Sequence, residues 1–241
     1  MTRPNRFAKA KWWRFATHNV MENPLHRDTI PATITEALTG NDIVMWTELS
    51  DDYAEGVLVK RHPNYGHFVP AQKHNDARIS YLKPLRLIRS GRKEFQTHKA
   101  DVSHERYITW ADIFGFPGAP IIRVSSRHYW PGAFNTSRKD MRLRRDQWMR
   151  GQGTDFDFMA DTANQTGMPQ VAGGDYNRLG NFFPKTIGGY KVHHFSKGLD
   201  HIVFVDGKFH RWTFPRVRKT ITKDTASDHD VLIVLARLVR R

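Results

Sequence analysis

Asp175 and Asn177 stand two apart in Val171-Ala172-Gly173-Gly174-Asp175-Tyr176-Asn177, a short apolar run that closes in two glycines. Residues two apart on an extended chain point to the same side, so an acid and an amide would be presented together. The acid can bind or deprotonate a water, and the amide can donate to a phosphate oxygen without adding negative charge. Pro169 opens the run, Val171 and Ala172 suit a strand covered on both faces, and the glycines permit a sharp bend or a close backbone approach. Gly, Asp and Asn are also the ordinary turn formers, so this stretch alone reads equally as a solvated turn.

Other chemistry-bearing residues close or open apolar runs in the same manner. Trp12 to Val20 alternates apolar and polar residues and stops at Asn19, and the apolar Ile43-Val44-Met45-Trp46 ends in Thr47-Glu48. A glutamate closing such a strand either reaches solvent or meets a hard cation. The strand from Ala119 to Val124 leads through Ser125-Ser126-Arg127 to His128, a histidine that is either structural or catalytic. Leu199-Asp200-His201-Ile202 puts an acid near the start of another strand, and Ser227-Asp228-His229 precedes the last apolar run, Val231 to Leu238.

The elements that must position these groups are legible as alternating strands and helices. Asp28 or Thr29 can cap a helix with Pro31 in its first turn, Ile30, Ile34 and Leu38 on one face and Gly40 at its end. A second helix is expected over Asp51 to Lys60, short strands over Gly66 to Pro70 and Ile79 to Leu82, and exposed hairpin strands between Lys83 and Ser103. Tyr107 to Ile113 alternates as a strand; Arg138 to Arg150 reads as a basic helix and Phe156 to Ala163 as a separate one. With no repeat or linker, residues 1–241 are expected to form a single α/β (α+β) domain, a layered sandwich.

Thirty-eight Lys and Arg against 24 Asp and Glu give a formal charge of +14, which points to a polyanionic partner or to solubility alone. Cysteine is absent, which excludes disulfides, thiolate zinc sites and cysteine nucleophiles and leaves any metal to oxygen or imidazole. Met1 to Arg14 is basic, is interrupted by Pro4 and has no apolar core of a signal peptide, and no run is long enough to span a bilayer. The expectation is a soluble, cytoplasmic monomer.

In order along the chain, Asn19, Glu48, His128, Gly174-Asp175-Tyr176-Asn177, Leu199-Asp200-His201-Ile202 and Ser227-Asp228-His229 resemble the endonuclease/exonuclease/phosphatase superfamily, which includes deoxyribonuclease I-like and exonuclease III-like enzymes. The resemblance runs from about Phe15 to Leu238 and rests on the ordered set rather than on any single motif. It implies a four-layer sandwich of two mixed β-sheets flanked by helices, with a Mg²⁺- or Mn²⁺-dependent phosphoesterase site across the sheet edges. Asn19 and Glu48 would hold the metal, with Asp228 a further ligand or water holder. Asp175 would position the attacking water and Asn177 a phosphate oxygen. His229, oriented by Asp200, and His128 would donate to the phosphoryl oxygens. Arg145 and Gln147 match a pattern of the helix after the first histidine and are expected to be structural.

Phosphodiester hydrolysis needs charge neutralisation, an in-line water and donors for growing negative charge, and these residue types supply all three. An Asp on a His raises its basicity and fixes its tautomer, so His229 gains direction from Asp200. Two departures stand out: Met21 replaces the acid some repair nucleases carry two residues after the first Asn, and the group orienting His128 is either Glu105 or absent, Glu105 pairing instead with Arg106. The substrate reading is a nuclease on DNA or RNA, with Arg106, Arg211, Arg216 and Arg218 and the aromatic Trp130 and Phe134 following the backbone. A phosphatase for a small or lipid phosphate and a catalytically silent nucleic-acid binder stay open beside it.

Overall fold

The computed structural model describes residues 12–20, 28–70, 77–96, 105–116, 121–137, 139–215, 227 and 229–241. The chain runs β1 (Trp13–Asn19), α1 (Ile30–Leu38), β2 (Ile43–Thr47), α2 (Asp51–Tyr53, continued by π-helical Ala54–Val59), β3 (Tyr65–Phe68), β4 (Arg78–Leu82), β5 (Arg86–Gln96), β6 (Arg106–Phe114) and β7 (Ile121–His128). Then follow α3 (Met141–Thr166), β8 (Gln170–Asp175), β9 (Thr186–Ile187), β10 (Tyr190–Lys197), β11 (Asp200–Val205), β12 (His210–Thr213) and β13 (Leu232–Arg240). Six strands form one sheet in the order β12-β13-β1-β2-β4-β3, and seven form the other in the order β5-β6-β7-β8-β11-β10-β9.

The period-two alternation read in the sequence decides the layers, because successive side chains of a strand leave opposite faces. Phe15, Met45, Leu232 and Val234 of the first sheet meet Ala111, Val124, Val171, Ile202 and Phe204 of the second in a core between the sheets. Their neighbours Ala16, Val44, Trp46 and Ile233 turn outward onto Ile34 and Leu38 of α1 and Val57 and Leu58 of α2. On the far side, Ala172, Val203 and Val205 pack against Trp148 and Met159 of α3. Helix, sheet, sheet, helix: this is the four-layer sandwich of two mixed sheets expected from the sequence. Each large side chain so buried contributes roughly 1.5–3 kcal/mol, and the three cores together hold the sheet edges in fixed relation.

Two parallel pairs orient the site. β1 and β2 are parallel, as are β7 and β8. Parallel neighbours need a crossover, which α1 and α3 provide. The carboxyl ends of all four strands therefore emerge at one edge of the sandwich, carrying Asn19, Glu48, His128 and Asp175. β11 and β13 run antiparallel to β8 and β1, so they bring their starts to that edge instead.

Three elements differ from the sequence reading. The two helices expected over Arg138 to Arg150 and Phe156 to Ala163 are one continuous helix, α3. Gly151 and Gly153 disfavour a helix by about 1 kcal/mol each relative to Ala, but Trp148, Met159, Thr162 and Ala163 bury one face along its length. Gly151 is itself a packing residue, since a Cβ there would lie 2.7 Å from Gln96 Cγ. β10, in the sequence Tyr190 to Lys197, had no clear alternation to announce it; it forms because β11 offers it an edge. β7 extends four residues beyond Val124, through the polar Ser125-Ser126-Arg127-His128, whose side chains are buried and whose backbone pairs with β8.

Candidate active site

Asp175 is the centre of the edge. The two glycines before it do what their lack of side chains allows: a Cβ on Gly173 would lie 2.6 Å from Met45 of the opposite sheet, and one on Gly174, at φ +148°, would lie 1.8 Å from the carbonyl oxygen of Arg127. The sheets and strands thus close on this point, and the acid that follows is held at both oxygens. Asn19 Nδ2 donates to Asp175 Oδ2 at 3.0 Å, and the Asn177 backbone N–H donates to Oδ1 at 2.7 Å. Asn177 adopts φ +50°, an unusual backbone state for a non-glycine residue, and its Nδ2 donates to the Tyr129 carbonyl at 2.8 Å.

Glu48 likewise leaves β2 with φ +51°, which turns its carboxylate toward the second sheet. Its Oε1 is 3.2 Å from His128 Nε2, and Asp175 Oδ2 is 3.8 Å from the same nitrogen. Arg106 Nη1 lies 2.9 Å from His128 Nδ1. A guanidinium only donates, so Nδ1 accepts and the proton of the neutral ring sits on Nε2, toward Glu48 and Asp175.

The second histidine arrives from the opposite flank. Asp200 is paired across the strands with Asp175, and its Oδ2 is 2.6 Å from His229 Nδ1. Burial raises the Asp200 carboxyl well above its usual range, with the His229 hydrogen bond opposing the shift and Asp175 adding to it. The pair therefore holds a proton between them, with His229 Nε2 turned away from Asp200. Ser227 fastens this loop: its hydroxyl donates to the Asn19 carbonyl at 2.8 Å and accepts from the His229 backbone N–H at 3.1 Å. Asp200 Oδ1, buried, has no hydrogen-bond partner among the described residues.

Beneath the site lies a buried network that sequence reasoning missed. Arg127, fully buried, pairs with Asp155 at 2.8 Å and donates to the Tyr176 hydroxyl at 3.2 Å. Tyr129 donates to Asp155 at 2.9 Å, and Trp148 donates its indole N–H to the Tyr176 carbonyl at 2.7 Å. These residues flank His128 and separate Asp175 from Asn177, so the network anchors both site loops to α3. Its only signal in the sequence is an arginine inside a strand and an aspartate inside a helix, each indistinguishable from a surface residue without the packing. His18 is also buried under the edge; burial, then the proximity of His229, lowers its pKa to about 3, so it is neutral.

The structure thus brings Asn19, Glu48, His128, Asp175, Asn177, Asp200 and His229 to one edge. Glu105 makes no described contact with His128; the group on Nδ1 is Arg106. Asp228, Arg216 and Arg218 lie outside the described residues. Gln147 is buried, and its carbonyl accepts from Gln96 at 3.3 Å, but Arg145 is exposed, with its guanidinium 6.0 Å from the Phe134 ring. Trp130, expected on a backbone-following loop, is fully buried, whereas Phe134 is 38% exposed.

Among the described residues no three His, Asp or Glu side chains gather into a ready-made metal cage. Magnesium or manganese is commonly held by one or two carboxylates, with waters and substrate oxygens as the other ligands. The donors at hand are hard oxygens: the Glu48 carboxylate, one-third exposed at the mouth of the site, and Asp175 and Asn19 beside it. They fit such an ion.

The fold is that of solved endonuclease/exonuclease/phosphatase family structures. Among solved structures, a humanized D. rerio TDP2 carrying 14 mutations superposes with a TM-score of 0.72 at 14% identity, covering 94% of this chain and 99% of that one. D. rerio TDP2 complexed with a single strand DNA product gives 0.68 at 16% identity, with 94% and 99% covered. An endonuclease/exonuclease/phosphatase family protein from Bacteroides thetaiotaomicron gives 0.66 at 13% identity, with 94% and 98% covered. At these identities the likeness is one of fold. No family model matches the chain, and no curated protein matches it in sequence.

Proposed function

We propose that this chain is a member of the endonuclease/exonuclease/phosphatase family that hydrolyses phosphodiester bonds in nucleic acid with the help of Mg²⁺ or Mn²⁺. The observation that carries the reading is the pairing of Asp200 with His229 at 2.6 Å beside an Asp175 held by Asn19 and Asn177. A binding protein has no use for buried carboxylates beside a phosphate, whereas hydrolysis needs an acceptor for water and directed donors for phosphoryl oxygens. The charge of +14 and the solved TDP2 complex with single strand DNA support nucleic acid as the substrate.

In this reading Glu48, with Asn19 and Asp228, holds a divalent ion, which supplies Lewis-acid neutralisation of the phosphate. Asp175, fixed by its two donors, accepts from the attacking water and aligns it. Asn177 turns its amide toward a phosphate oxygen, exchanging its contact with the Tyr129 carbonyl. His229 presents Nε2 as a donor while Asp200 holds Nδ1 and stabilises the imidazolium. His128, with its proton on Nε2, donates from the other side, and Arg106 fixes that tautomer. Incubation with single-stranded DNA, plasmid, RNA and a phosphomonoester, each with Mg²⁺ and with chelator, tests the reading. Cleavage of a nucleic acid that stops with chelator is expected; release of phosphate from the monoester alone would overturn it.

A further inference from the structure

The loop that carries Asn177 continues directly into Arg178, and there the site edge acquires a second kind of surface. The Arg178 guanidinium lies 5.0 Å from the ring centre of Phe134, 4.9 Å from Trp148 and 5.0 Å from Phe182. Arg145, from α3, stands 6.0 Å from the same Phe134 ring. Trp148 is fully buried and tied by its indole N–H, and it meets Phe134 edge-on at 5.2 Å, so the exposed ring rests on a rigid support. Phe134 is 38% exposed, and Leu179, next to Arg178, is 70% exposed.

Two guanidinium groups converge here, and among the described residues no carboxylate forms an ion pair with either. Like charges held together without a counter-ion repel, and burial together with Arg145 lowers the pKa of Arg178. An anion between them would relieve that repulsion, and guanidinium forks match phosphate oxygens. Both guanidinium groups lie over the Phe134 ring, and the part of that ring left exposed suits a flat base, since stacking on an aromatic is available to any base whose own face is free. Arg178 follows Asn177 directly, Phe134 lies on the segment after His128, and Arg145 lies on α3.

We propose that Phe134, Arg145 and Arg178 form a nucleotide subsite flanking the cleaved phosphate, in which an unpaired base stacks on Phe134 and its phosphate lies between the two guanidinium groups. This rests on the phosphodiesterase reading and narrows its substrate to strands with unstacked bases, because an internal base of a duplex has both faces covered by its neighbours.

The test measures binding of fluorescent oligonucleotides by anisotropy, in chelator so that nothing is cleaved. One oligonucleotide carries bases, and a second of the same length is abasic. Phe134→Ala should weaken binding of the first about 5- to 100-fold and leave the second unchanged. Arg145→Gln, on an exposed side chain that no fold contact needs, should weaken both equally and flatten the salt dependence by about one counterion. Equal weakening of both strands by Phe134→Ala, or no effect on either, would overturn the subsite. Parallel incubation of the parent protein with the base-bearing strand and Mg²⁺ separates the two ideas. Failure to cleave removes the phosphodiesterase reading, whereas cleavage with a silent Phe134→Ala removes the subsite alone.

Discussion

Asp200 and His229 offer the sharpest perturbation, because the contact between them is short, buried and single. The carboxyl is 4% exposed, the imidazole 15%, and the two meet at 2.6 Å. A hydrogen bond involving a charged group is worth about 1.5–3 kcal/mol, which is roughly a 10- to 150-fold change in rate if it is felt wholly in the transition state. Asp200→Asn should therefore lower kcat by about that factor. His229→Ala, which also removes the donor to the phosphoryl oxygen, should cost about 10²- to 10⁴-fold. If Asp200 acts through His229, the double variant should be hardly slower than His229→Ala alone, since residues working as a unit are strongly non-additive. Stability supplies an independent reading of the same pair. His229→Ala leaves a buried carboxyl without its donor and should lower unfolding free energy by about 1–3 kcal/mol. Burial raises the Asp200 pKa above its unfolded value, so the native state holds a proton the unfolded chain has lost, and the penalty should deepen as pH rises through that window. Asp200→Asn in the same background should restore part of the loss. Kinetics on a cleaved oligonucleotide and urea unfolding of all four proteins complete the cycle. Multiplicative losses in kcat, together with additive losses in stability, would refute the pairing and with it the role given to Asp200.

Other perturbations probe separate parts of the argument. Glu48→Gln should abolish cleavage at limiting Mg²⁺ with little change in melting temperature, because a one-third-exposed ligand is lost and no core contact goes with it; activity equal to the parent would remove Glu48 from the metal site. Gly174→Ala should destabilise by about 3 kcal/mol or more, since its Cβ would lie 1.8 Å from the Arg127 carbonyl, and denaturant unfolding with an unchanged midpoint would contradict the close approach. Asp155→Leu leaves Arg127 buried without its carboxylate and should cost about 3–5 kcal/mol, measured in the same way. His18, neutral with its pKa near 3 against 6.5 when unfolded, makes the unfolded chain the better proton binder between those values. Its share of stability is complete above pH 6.5 and is lost as pH falls, at up to about 1.4 kcal/mol per pH unit. His18→Gln should flatten that slope relative to the parent, and parallel slopes would show that His18 titrates normally.

Alternation along Phe15 to Asn19, the apolar run Ile43 to Trp46, the helical spacing of Ile30, Ile34 and Leu38, and the paired glycines before Asp175 were enough to define strands, layers and the edge at which polar residues end apolar runs. These features are local: side-chain period and backbone freedom act within a few residues, so they are written in the order of the chain. The joining of α3 through Gly151 was not local, because a glycine's helix penalty was overridden by burial against Gln96, a residue over fifty positions away. The partner of His128 was equally out of reach. Glu105 and Arg106 are neighbours in sequence, and only the folded placement of Arg106 at the start of β6 beside β7 decides that it is the one that meets the ring. The Arg127–Asp155 anchor and the Arg178 platform depend in the same way on which surfaces of α3 and the second sheet are pressed together. Residue types determine what chemistry a site can perform; which of them share a site is decided by contacts between segments distant in the chain, and those exist only once the core has closed.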